Sequence, residues 1–232
     1  MVPFGAFLNP SFLDWDGKVT AVLFCIGCPF RCPFCHNAGL VLGGVRPRSF
    51  ARIVASLRRT KEFLDGLVIS GGEPAMYASL PGTIRELRSA TGLPLKIDTN
   101  GLYPDMLEAL LAEGLVDAVA MDVKGPEGKY GLLAGVPVDT GRIIRSMDIL
   151  ARSGADVLFR TTYVPDLMTE TGLLEVRRLV GTRGRWVVQL FRPGSTLAPE
   201  LRSGRRPDPA RLRALLPDIE IRGATRETKS GE

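Results

Sequence analysis

Residues 19–37 read "VTAVLFCIGCPFRCPFCHN", an apolar run that opens into a loop carrying the last three of the four cysteines and the single histidine. The run Val19 to Phe24 reads as a strand. Similar runs follow at Leu67 to Ser70, Leu95 to Asp98, Ala118 to Val123, Val157 to Tyr163 and Trp186 to Phe191. Helical patterns separate most of them. Ser49 is placed to N-cap a helix through Arg59, and Ile84-Leu87, Met106-Leu110 and Ile143-Met147-Leu150 give later helices their apolar stripes. Glycines 66, 92, 114 and 154 stand between helix and strand, where a left-handed residue ends a helix. Six strands in this alternation imply an α/β fold with a parallel sheet and right-handed crossovers, either open and doubly wound or a barrel of about six strands.

At 232 residues and 25.2 kDa the chain suffices for one core, expected over residues 1–200. Residues 201–232 are expected as a C-terminal extension with a short helix, a strand-like Asp218 to Arg222 and a flexible tail. No apolar run approaches the roughly 20 residues that cross a bilayer. The N-terminus lacks the basic and apolar regions of a secretory signal, so a cytoplasmic protein is expected. The net charge of +5 comes from an arginine-rich composition without aromatic-interleaved basic stretches, so nucleic acid is not the expected partner. All four cysteines fall between residues 25 and 35, which argues against a disulfide framework and for a metal.

In parallel α/β folds ligands bind at the carboxyl ends of the strands. Chemically capable residues collect there: the cysteine loop, then Gly71-Gly72-Glu73-Pro74, Asp98-Thr99-Asn100, Asp122 and Lys124, Arg160 and Thr162, and Gln189 and Arg192. Strand alternation puts Lys96, Asp98 and Asn100 on one face, with Ala120, Asp122 and Lys124, and Leu158, Arg160 and Thr162. Charges on a sheet face must pair, meet solvent in a cavity, or meet a polar ligand.

Four cysteines at 25, 28, 32 and 35 would suit a tetrahedral zinc, although zinc sites usually set their ligand pairs a dozen or more residues apart. The compact Cys28-x3-Cys32-x2-Cys35 suits a cubane iron-sulfur cluster, with three thiolates on three irons and the fourth iron open. Cys25 ends an apolar strand and reads as a small buried hydrophobe, with a fourth-ligand role as the alternative. His36 is expected to order the loop or face the ligand, with iron ligation as the alternative.

The C-x3-C-x2-C spacing resembles that of the radical S-adenosylmethionine superfamily, and Cys35-His36-Asn37 resembles its glycyl-radical-enzyme activating proteins. Ser70 to Pro74, Asp98 to Gly101, Met121 to Lys124, Arg160 to Pro165 and Gln189 to Gly194 resemble successive motifs of that group in order. Asp14-Trp15-Asp16-Gly17-Lys18 and Phe191-Arg192-Pro193-Gly194 look most like activating proteins of anaerobic ribonucleoside-triphosphate reductase.

The resemblance implies a partial (βα)6 barrel. It implies a 4Fe-4S cluster on Cys28, Cys32 and Cys35 whose open iron chelates S-adenosylmethionine, with an electron from flavodoxin or ferredoxin. The resulting 5′-deoxyadenosyl radical would take a glycine α-hydrogen from a partner enzyme. Gly71 and Gly72 would let backbone approach the methionine moiety, Glu73, beside Pro74, would accept from its ammonium, and Phe34 and His36 would line the adenine. Asn100 and Arg160 are expected in the same cofactor site; Asp122, Lys124 and Arg192 match positions near the carboxylate and ribose. Asp98, Thr99 and Asp122 match a monovalent-cation site. The alternatives are an activator of pyruvate formate-lyase, a related enzyme acting on a small molecule or RNA, and a non-catalytic zinc-binding protein.

Overall fold

Chain order and spatial order coincide in the single sheet of the computed structural model, which describes residues 1–223. The strands are β1 (Phe4–Ser11), β2 (Thr20–Cys25), β3 (Gly66–Gly71), β4 (Leu95–Thr99), β5 (Ala118–Asp122), β6 (Asp156–Tyr163), β7 (Arg185–Leu190) and β8 (Glu220–Arg222). Between them lie α1 (Ala38–Val41), α2 (Phe50–Thr60), α3 (Leu80–Thr91), α4 (Pro104–Ala112), α5 (Tyr130–Ala134), α6 (Thr140–Ala151), α7 (Glu170–Val180) and α8 (Pro209–Leu215). β2 to β8 pair in parallel, and β1 runs antiparallel along β2.

The six expected parallel strands are β2 to β7. A doubly wound sheet reverses its strand order part-way; this one does not, so the crossovers stay on one face and the sheet curls into a partial barrel. Among the described residues β1 and β8 are its two edges, which leaves the barrel open laterally. The expected C-terminal helix and strand are α8 and β8, with β8 extending the sheet beside β7. The flexible tail falls on residues 224–232, outside the described residues.

The two faces differ sharply. Leu23, Ile69, Ile97, Met121 and Phe159 point outward into one core with Leu57, Leu87, Leu110, Met147 and Val176 of the covering helices. Each such side chain contributes roughly 1.5–3 kcal/mol through burial. The inward apolar cluster is small, with Trp15, Val22, Val68 and Ala118 at the amino-terminal ends of the strands. Trp15 plugs that floor.

The helix ends follow from sequence. Ser49 Oγ accepts from Arg52 N at 3.4 Å to start α2, and Thr169 Oγ1 accepts from Gly172 N at 3.1 Å to start α7. Gly92 and Gly114 have φ of 72° and 60°, as expected of helix-ending glycines. Gly66 and Gly154 do not adopt that conformation. Gly66 makes room instead, because a Cβ there would lie 2.9 Å from the Trp15 ring.

Candidate active site

The cysteine loop is held from several sides by backbone hydrogen bonds. Gly27 N donates to Leu40 O at 2.8 Å, Arg31 N to Ala134 O at 2.7 Å, Leu197 N to Cys35 O and Ala198 N to Pro33 O, both at 2.9 Å. Tyr77 Oη donates to Ile26 O. His36 is exposed, with Nδ1 3.1 Å from Ser195 O and its ring stacked on Phe191 at 6.3 Å. It orders the loop against residues 191–198 and is not among the residues lining the cavity.

That cavity, about 220 Å³, opens at the carboxyl ends of β2 to β7. Cys28, Cys32 and Cys35 line it together with Phe34, Gly71, Gly72, Glu73, Asp98, Asn100, Asp122, Lys124 and Arg160. These are twelve of the fifteen residues expected in the site. His36, Pro74 and Arg192 are not brought into it; Arg192 is exposed and donates to Gly223 O at 3.2 Å. Phe30, Asn37, Val41, Ser70, Thr99 and Gln189 line it as well.

Cys25 lies elsewhere. It is fully buried among the outward-facing residues of the helix-covered core, as its place on β2 dictates, since Leu23 shares its face. Burial raises its thiol well above the usual range, with the Glu73 charge adding to the effect. Cys28 is pushed up to about 12 by burial and then by Glu73, and burial also raises Cys32. Buried thiols of this kind ionise against a strong positive charge such as iron. Three thiols around one cavity, with nearby donors, fit a cubane cluster. Asn100 Nδ2 lies 3.8 Å from Cys28 Sγ, a donor that would moderate thiolate charge.

Gly72 owes its lack of a Cβ to the cysteine loop, and Gly71 to the end of β2 that leads into it. A Cβ on Gly72 would lie 1.8 Å from Gly27 O, and one on Gly71, whose φ is 100°, 2.7 Å from Cys25 N. The close approach secures Gly72 N to Cys25 O and Glu73 N to Gly27 O, each at 2.9 Å. β3 and the cysteine loop therefore form one unit.

Glu73 is fully buried. Its Oε1 accepts from Ala75 N at 2.9 Å and Thr99 Oγ1 at 2.8 Å, and its Oε2 from Asn100 N at 2.7 Å. Burial pushes its carboxyl up to about 7, against these three donors and Lys124, all of which favour the anion. Glu73 thus pins the ends of β3 and β4 together at the cavity wall.

The charged interior is paired throughout. Asp98 accepts from Lys96 Nζ at 2.7 Å, Ser70 Oγ at 3.0 Å and Arg160 at 3.2 Å. Asp122 accepts from Arg160 Nε at 2.9 Å and Lys124 Nζ at 3.0 Å. Burial opposes ionisation of Asp122, but Arg160 and Lys124 outweigh it and hold the carboxyl down at about 2. Lys124 also reaches over the Phe34 ring at 6.0 Å.

The Asp14-Trp15-Asp16-Gly17-Lys18 stretch lies at the opposite end. Trp15 fills the floor, Asp14 O accepts from Lys96 Nζ at 2.6 Å, and Asp16 pairs with Arg185 and Arg222. Its role here is structural.

A curled parallel sheet with three loop cysteines, a Gly-Gly-Glu-Pro turn and a charged interior defines one class of protein. The chain belongs to the Radical SAM superfamily, whose model matches residues 22–178. Its cofactors are those of the superfamily, a 4Fe-4S cluster and S-adenosylmethionine. Among curated proteins it is 32% identical, over 209 residues, to a Methanocaldococcus jannaschii protein that carries the provisional name of a glycyl-radical enzyme activating enzyme. That alignment covers 88% of this chain and 86% of the relative. The pyruvate formate-lyase-activating enzyme of Clostridium pasteurianum is 28% identical over 68% of this chain and 66% of that one. Among solved structures, Streptococcus suis SuiB bound to the precursor peptide SuiA has a TM-score of 0.65 at 19% identity, covering 84% of this chain and 43% of that chain. Methylornithine synthase gives 0.59 at 15% identity, covering 84% and 61%. The chain spans less than two thirds of either solved structure, and at these identities the likeness is one of fold. No helix among the described residues is long and apolar enough to cross a membrane.

Proposed function

We propose that this chain is a glycyl-radical-enzyme activase that uses its cluster and S-adenosylmethionine to place a radical on a glycine of a partner protein. The observation that carries the reading is the division of the cysteines: Cys28, Cys32 and Cys35 line one cavity and Cys25 faces the opposite side of the sheet. Cys28, Cys32 and Cys35 would hold a cubane cluster with one iron left for S-adenosylmethionine. When bound, the two cofactors supply one-electron cleavage of a sulfonium and the hydrogen abstraction that follows.

The residues of the chain bind, orient and shield. Asn100 donates toward Cys28, the Gly71-Gly72 turn fixes the cysteine loop, and Asp122, Lys124 and Arg160 present a set of fixed charges to the polar parts of the cofactor. Phe30, Phe34 and Val41 give the cavity an apolar wall. Such a wall would keep water from the bound cofactors, and a partner segment entering by the open side of the barrel would complete the closure. A one-electron donor of the flavodoxin or ferredoxin kind is required.

Within this reading the partner is an anaerobic ribonucleoside-triphosphate reductase, supported by the Phe191-Arg192-Pro193-Gly194 stretch that packs against the cysteine loop through His36. The similarity to the Clostridium pasteurianum enzyme favours pyruvate formate-lyase as the second candidate. Anaerobic incubation of the reconstituted protein with each candidate, S-adenosylmethionine and a reductant, followed by electron paramagnetic resonance, tests the choice. A glycyl doublet with the reductase alone is expected. Signal with neither, despite S-adenosylmethionine cleavage, would remove both partners.

A further inference from the structure

The interior holds five charged side chains in one line: Lys96, Asp98, Arg160, Asp122 and Lys124. Three are cations and two are anions. The monovalent-cation site expected at Asp98, Thr99 and Asp122 would need carboxylate oxygens with an excess of negative charge, and here three cations already offset the two carboxylates. Both oxygens of Asp98 are engaged, Oδ1 by Lys96 and Oδ2 by Ser70 and Arg160. Both oxygens of Asp122 are engaged, by Arg160 and Lys124. Thr99 Oγ1 donates to Glu73 Oε1 and accepts from Gly101 N at 3.1 Å.

We infer that the Lys96 ammonium is a built-in counter-ion that takes the place of an exchangeable monovalent cation and makes Lys96 a positioning residue for the cofactor cavity. Its side chain is only 6% exposed, and a second contact from Nζ to Asp14 O at 2.6 Å anchors it to the barrel floor. From there the order passes through Asp98 to Arg160, and through Arg160 to Asp122 and Lys124 at the cavity wall. Lys96 does not line that cavity, so it acts through the others. A tethered ammonium cannot be diluted away. An arriving potassium or sodium ion would meet three fixed positive charges, two of them already on the carboxylate it needs.

The inference rests on S-adenosylmethionine binding in this cavity, and its test keeps the two apart. Equilibrium dialysis of labelled S-adenosylmethionine against the anaerobically reconstituted protein is run in potassium, sodium and choline chloride at matched ionic strength. The wild type is expected to bind within about twofold in all three, since only general screening is shared among them. Lys96→Met leaves Asp98 short of a cation. Its affinity in choline is expected to fall by about tenfold or more and to recover on adding potassium, because one partner of a buried ion pair has been removed. Loss of affinity in the wild type of about tenfold or more in choline overturns the inference, and so does a folded variant whose affinity does not respond to potassium. No binding in any buffer overturns the cofactor site itself. If Lys96→Met does not fold, the wild-type comparison decides alone.

Discussion

Replacing Gly72 by alanine tests whether β3 and the cysteine loop are one mechanical unit. The added methyl would lie 1.8 Å from Gly27 O and 3.1 Å from Cys25 O, where Cβ contacts under 3.0 Å essentially never occur. Both neighbours are backbone, so no rotamer change relieves the clash. The strands must part by about an ångström, and the 2.9 Å bonds Gly72 N to Cys25 O and Glu73 N to Gly27 O go with that movement. Two buried backbone hydrogen bonds at roughly 1–3 kcal/mol each put the loss at about 3 kcal/mol or more. Gly82 in α3 is the control: a methyl there meets nothing within 4 Å, and helix propensity predicts a gain of about 0.5–1 kcal/mol. Urea unfolding of the two variants should therefore shift the midpoint in opposite directions, and Gly72→Ala should also take up less iron on reconstitution. A Gly72→Ala midpoint within experimental error of the wild type, with full iron uptake, would refute the reasoning.

Asp122 is held at about 2 in the fold against an ordinary 3.8, so its stabilising contribution is present above pH ~4 and is lost as pH falls through about 2. The shift corresponds to about 2 kcal/mol, and acid unfolding of Asp122→Asn should lack that part of the slope; an unchanged slope removes the ion-pair account. Trp15→Ala empties the barrel floor and should cost about 3–5 kcal/mol by thermal or urea unfolding while S-adenosylmethionine affinity of the folded fraction is kept. A large fall in affinity with little loss of stability would put Trp15 in the site instead.

Much of the barrel was legible because its signal is local. β2 to β7 are apolar runs bounded by turn residues, and their inward charges at Lys96, Asp98, Asp122 and Arg160 keep strict alternation. β1 was not. It contains Gly5 and Pro10, and two register shifts against β2 break its period of two, so its existence is decided by the free edge of β2. The cavity was foreseeable from the strand ends, but the contacts within it were not. Glu73 lies 26 residues from Thr99 and 27 from Asn100, and only the register of β3 on β4 brings them together. Arg192 follows β7 and swings toward Gly223, a direction that a strand-end position does not specify. Likewise the need for glycine at 66 and 72 comes from Trp15 and Gly27, neither of them adjacent in sequence.

The division of cysteines between two faces of one sheet is best tested by iron itself. Single alanine variants at positions 25, 28, 32 and 35 are reconstituted anaerobically, and cluster iron is quantified by Mössbauer spectroscopy beside a circular-dichroism check of the fold. Cys25→Ala should hold the wild-type amount of cubane and cleave S-adenosylmethionine, while the other three should not. A folded Cys25→Ala protein without its cluster, or a full cluster in Cys28→Ala, would contradict the account.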